Sequence, residues 1–92
     1  MYLVFYAPLV DGEMDEDLCF CRQAISCKWI DPDSGEEVEA YAMPDPSLIP
    51  AEDVTVTELD LTAATDLAQR CKDRAEQTKG GEWAYKVEAE EQ

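Results

Sequence analysis

Ninety-two residues are enough for one domain, spanning 1–92, whose core can fold alone with little to spare. The chain has no histidine. That excludes any Ser–His or Cys–His pair and removes both the usual proton carrier near neutral pH and the commonest metal ligand, so a binding protein is expected and not an enzyme. With 22 acids against 7 bases and a net charge of −15, the protein is expected to repel duplex DNA and anionic membranes and to be drawn to basic surfaces. Since 46% of its residues are hydrophobic and 9% aromatic, the charge coats a folded body and not a disordered acidic tail.

The opening "MYLVFYAPLV" is apolar but has neither a basic n-region nor a small-residue cleavage site, so no signal peptide is expected. No apolar run reaches the length of a bilayer span. A soluble cytosolic protein, with its four cysteines as reduced thiols, is the expectation. "YLVFYA" (2–7) reads as a buried strand closed by Pro8, and residues 8–17 as an acidic loop. From Leu18 to Ile30 the pattern alternates, with Cys19, Cys21, Gln23, Ile25, Cys27 and Trp29 on the more apolar side, which predicts one long strand.

"DPDSGEE" (31–37) is a turn, so "EEVEAYAM" (36–43) should return antiparallel. Setting Asp31 against Glu36 pairs Trp29 with Val38, Cys27 with Ala40 and Ile25 with Ala42, and puts Lys28 opposite Glu39. "PDPSLIP" (44–50) is a proline-broken crossing, and "DVTVTEL" (53–59) a further strand. A helix over about 61–78 begins at Asp60 or Thr62, stops at Gly80–Gly81, and carries a narrow stripe of Ala64, Leu67, Ala68, Cys71 and Ala75. "EWAYKVEAE" (82–90) alternates again, with Trp83, Tyr85, Val87 and Ala89 inward. The predicted class is α+β: an antiparallel sheet of four or five strands with one helix packed on a face.

Two clusters invite chemistry. Cys19, Cys21, Cys27 and Cys71 would make a Cys₄ zinc site only if turns folded around the metal, and C-x-C in mid-strand lacks that geometry; they read as small core residues. In "VDGEMDEDLCFC" (10–21) the alternating acids suggest a calcium loop, but counting from Asp11 the required glycine falls on Glu16 and the closing glutamate on Arg22. Nothing in the sequence builds a cleft around a carboxylate pair. No catalytic residue, metal or cofactor is assigned.

Charge is unevenly spread. Residues 1–69 hold 16 acids and 2 bases, whereas "RCKDRAEQTK" (70–79) holds 4 bases and 2 acids. Arg70 and Arg74 lie one helical turn apart with Lys72 beside them. In size, carboxylate coat, α+β class and lack of a catalytic set, the whole chain resembles the small acidic inhibitors encoded by phages and mobile elements: anti-CRISPR proteins, anti-restriction DNA mimics and uracil-DNA glycosylase inhibitors. That resemblance implies a host protein or ribonucleoprotein partner with a basic nucleic-acid channel. Asp11, Glu13, Asp15, Glu16, Asp17, Asp31, Asp33, Glu36, Glu37 and Glu39 would meet that channel. Arg70, Lys72 and Arg74 would meet a guide-RNA backbone or acidic residues at its edge. Direct duplex DNA binding and membrane contact are not expected. The alternative is an acidic partner-binding or regulatory module acting on a basic protein unrelated to nucleic acid.

Overall fold

The computed structural model describes residues 1–90. In chain order it contains β1 (Tyr2–Val10), β2 (Glu13–Met14), β3 (Phe20–Gln23), β4 (Ile25–Ile30), β5 (Glu37–Ala40), β6 (Thr55–Glu58), α1 (Leu61–Lys79) and β7 (Trp83–Ala89). Short 3-10 turns at Glu16–Leu18 and Ala51–Asp53 complete the regular structure. The class is α+β, with the strands divided between two antiparallel sheets. One sheet has β1 at its centre, flanked by β3 and β7, with β2 paired to the end of β1; the other has β4 between β5 and β6. The chain forms two compact units accordingly, Met1–Ala24 with the chain from Leu59 onward, and Ile25–Glu58.

β1 outlasts Pro8. The Leu9 N–H donates to the Glu82 carbonyl at 2.8 Å, so the adjacent Pro8, opposite Trp83, points its nitrogen away from β7. Its carbonyl, on that same side, accepts from the Asp15 N–H at 2.9 Å. A missing N–H therefore breaks no rung of the β1–β7 ladder. Beyond Pro8, Asp11 and Gly12 take φ of 54° and 81°, the two positive values that a two-residue hairpin turn needs, and the expected loop becomes the β1–β2 hairpin.

The long strand expected over Leu18–Ile30 is broken at Ala24. This residue is wholly buried; its N–H donates to the Tyr2 carbonyl and its own carbonyl accepts from the Leu59 N–H, each at 2.9 Å. Up to Ala24 the even positions face the helix, since Phe20 stands opposite Tyr6 and Arg22 opposite Val4. Cys19 and Cys21 therefore lie off the helix-covered side: Cys21 is exposed and Cys19 half-buried, whereas Cys27 and Cys71 are buried. Core packing holds for two of the four thiols. After Ala24 the chain joins the other sheet, so the single sheet of four or five strands becomes one of four and one of three.

In the first unit α1 lies over β1 and β7. Asp60 caps it, its Oδ1 accepting from the Ala63 N–H at 2.8 Å. The five stripe residues are buried; Ala64, Leu67, Ala68 and Cys71 join Val4 and Ala24 in a core walled by Tyr2, Tyr6, Leu59, Tyr85 and Val87. Small side chains let the helix come close to the sheet. At its end the Gly80 N–H closes on the Glu76 carbonyl at 3.0 Å, and the Trp83 indole N–H donates to the Gly80 carbonyl at 3.0 Å.

In the second unit the β4–β5 register is the expected one: Cys27 with Ala40, Lys28 with Glu39, Trp29 with Val38, and the Asp31 N–H on the Glu36 carbonyl at 2.9 Å. The expected Ile25–Ala42 pair is absent because β5 ends at Ala40; on the other side of β4, Ile25 pairs with Glu58 of β6. Among the described residues no helix is long and apolar enough to cross a membrane.

Candidate functional site

The acids named from the sequence fall into one group in each unit. In the first unit, the hairpin carries Asp11 and Glu13, and the 3-10 turn that follows carries Asp15, Glu16 and Asp17. Asp15 is partly spent on structure, its Oδ1 accepting from the Asp17 N–H at 2.9 Å. Glu13, Asp15, Glu16 and Asp17 line an open groove of about 500 Å³ with Val10 and Met14. Backbone hydrogen bonds fix the base of this groove, so its carboxylates project from an ordered turn.

In the second unit, Asp31, Asp33 and Glu36 belong to the β4–β5 turn and Glu37 and Glu39 to β5. Asp31 closes the turn by accepting from the Asp33 N–H at 2.8 Å, and Asp33, Glu36 and Glu37 are exposed. Glu39 is occupied across the strand pair, accepting from the Ser26 hydroxyl at 3.1 Å and lying 3.9 Å from Lys28 Nζ. Beside the turn, Asp31, Asp33 and Asp45 line a cavity of about 330 Å³ with Trp29, Pro32, Pro44, Leu48 and Ile49. The Asp45 carboxyl is held below its ordinary range by the Ser47 N–H and then the Ser47 hydroxyl, at 2.9 and 2.8 Å. An indole, two prolines and three carboxylates make a slot suited to the stem and charged head of a lysine or arginine.

The balance of charge differs between the units. Ile25–Glu58 contains nine acids and one base, Lys28. The other six bases all belong to the first unit.

The basic trio expected on the helix does not act as one group. Lys72 is tied to its own helix, 3.0 Å from Glu76 and 3.7 Å from Asp73. Arg70 is exposed. Arg74 borders a cleft together with Arg22 and Lys79, two residues outside the trio expected from the sequence. Arg22 lay hidden inside an apparent strand, and only the β1–β3 register, which puts it opposite Val4 under the helix, brings it to Arg74. Among the described residues no group of three or more cysteines and carboxylates is arranged to hold a metal ion. Comparison with protein-family models, curated proteins and solved structures finds no match.

Proposed function

We propose that this chain is a non-enzymatic inhibitor of the anti-CRISPR or anti-restriction kind, acting in the host cytoplasm. It would bind a nucleic-acid-handling defence complex, with a CRISPR effector as the first to test, and deny it target DNA by presenting carboxylates in place of phosphates. The observation that carries this reading is the second unit: nine acids against one base, that base being held near Glu39. Duplex DNA presents a charge every ~1.7 Å of axis, so a competitor for a lysine- and arginine-lined channel needs carboxylates at high density. The Trp29 slot adds a place for a single basic side chain to bury its stem. Arg70 and Arg74 would then meet acidic residues or guide RNA at the channel's edge, with Lys72 held on its own helix by Glu76 and Asp73.

The test is target-DNA binding by a purified effector with and without the protein, across a salt series. Inhibition should weaken as salt shortens the screening length below ~8 Å. Reversing Asp15, Glu16 and Asp17 together to lysine, or Asp31, Asp33 and Glu36 together, should weaken it at least tenfold and leave the fold intact, because exposed turn charges contribute little to stability. Arg70→Glu with Arg74→Glu weakens it too if the helix is part of the interface. Indifference to salt and to both triple reversals would sink the mimicry. Capture of a basic partner that handles no nucleic acid would favour the regulatory-module alternative.

A further inference from the structure

The first unit contains a cleft whose chemistry is opposite to that of the rest of the molecule. Its volume is about 220 Å³, and Arg22, Arg74 and Lys79 line it with Tyr6, Phe20 and Thr78. Three of the chain's seven bases therefore border one small space in a protein of net charge −15.

Two of these three cations are held by contacts of their side chains. Arg22 is fixed at the floor, where its Nη1 donates to Cys71 Sγ at 3.6 Å. Arg74 sits on α1, and its backbone carbonyl accepts from the Thr78 hydroxyl at 2.8 Å. Lys79 Nζ is held 4.4 Å from the centre of the Phe20 ring. Phe20 is itself backed by Tyr6, stacked at 5.3 Å, and by Trp83 at 6.2 Å. Neither Arg74 nor Lys79 forms an ion pair among the described residues, although acids outnumber bases threefold. Burial, then the Cys71 thiol, raises the pKa of the Tyr6 hydroxyl, while Arg22 and Arg74 pull against that rise.

We infer that this cleft binds the phosphoryl group of a phosphomonoester, with the group's organic portion lying along Phe20 at the mouth. Two guanidinium forks suit the oxygens of a phosphoryl group better than a point cation does, and the lysine adds a third positive charge. A nucleoside monophosphate and free phosphate share this chemistry. Phe20 is 40% exposed, with Lys79 over its ring and Tyr6 and Trp83 stacked on it, so it offers the organic portion an apolar edge at the mouth. This inference does not depend on the inhibitory reading, since it concerns the free protein with no partner present.

The experiment is a titration of the uniformly labelled free chain, in low-salt, phosphate-free buffer, with inorganic phosphate, adenosine monophosphate and adenosine in separate series. Saturable shifts at Phe20, Arg74, Thr78 and Lys79 with both phosphate-bearing probes, and none with adenosine, are the expected result. Binding of the monophosphate at least tenfold tighter than phosphate assigns the site to a phosphorylated ring compound; equal affinity assigns it to free phosphate. Arg74→Gln with Lys79→Gln, both at exposed positions, should lower the affinity at least tenfold while resonances outside the cleft keep their unliganded positions, so that the loss is read in a folded chain. No saturable shift with either phosphate-bearing probe, shifts unaltered in the double variant, or adenosine binding as well as its monophosphate would overturn the assignment.

Discussion

Glu76 does more for the first unit than an exposed helical glutamate usually does. One carboxylate oxygen accepts from Lys72 Nζ at 3.0 Å and the other from the Trp83 backbone N–H at 3.1 Å, so a single side chain ties the last turns of α1 to the first residue of β7. These contacts, the lysine's first and the Trp83 N–H next, hold its pKa below the ordinary 4.5. A carboxyl whose pKa is depressed by folding stabilises the folded state above its unfolded pKa and loses that contribution as pH falls through the folded one. Lys72 is shifted the other way, upward from 10.5, chiefly by its hydrogen bond to Glu76, so its share is lost only in strong alkali. Glu76→Gln should therefore be less stable than the parent at neutral pH, and the gap should close as pH drops below 4.5. Urea unfolding of both proteins at a series of pH values reads this directly. A gap that persists at pH well below the carboxylate range would mean the residue acts by packing alone.

At the scale of elements, the β1–β2 hairpin shows how a two-residue turn places an acidic cluster. Gly12 has φ of 81° and no atom within 4 Å of where a Cβ would stand, so substitution strains the backbone without a clash. Gly12→Ala should cost about 1 kcal/mol from the left-handed conformation, measured by chemical denaturation with an unchanged m-value. A loss several times larger would point to rearrangement of the turn. The same hairpin marks a limit of sequence reading. Asp11 and Gly12 lie within the run expected as an acidic loop, and Pro8 obscured the strand before them, because which side of a strand a proline's nitrogen faces depends on pairing and not on local pattern. Ala24 is similar: alternation from Leu18 to Ile30 looked continuous, and only the hydrogen bonds to Tyr2 and Leu59 show one sheet giving way to the other. By contrast α1 was readable nearly to the residue, and so were the turn and register of the β4–β5 hairpin, although β5 ends at Ala40 and not at Met43. Their cap, stripe, turn and cross-strand pairs are local, so no distant partner was needed to fix them.

For the whole molecule, the acid clusters were legible because they are runs in the chain, whereas the cleft was not. Tyr6, Phe20 and Arg22 come from the first strands and Arg74 and Lys79 from the helix, and only folding of the first unit assembles them. That assembly happens against a large self-repulsion. With net charge −15, the compact state holds carboxylates nearer one another than the unfolded chain does, which lowers stability at low ionic strength. The screening length falls from ~30 Å at 0.01 M salt to ~3 Å at 1 M. The melting temperature should therefore rise steadily between about 0.01 M and about 0.5 M sodium chloride, most steeply at the low end where screening changes fastest. Phosphate at matched ionic strength should raise it further, because a ligand of the native cleft adds its binding free energy to the general screening. Loss of that extra rise in Arg74→Gln with Lys79→Gln, with the chloride response retained, would assign the two effects to different parts of the molecule. A flat or falling chloride response would show that the carboxylates are spaced widely enough to coexist without mutual cost, and an interface built on their density would then have no physical basis.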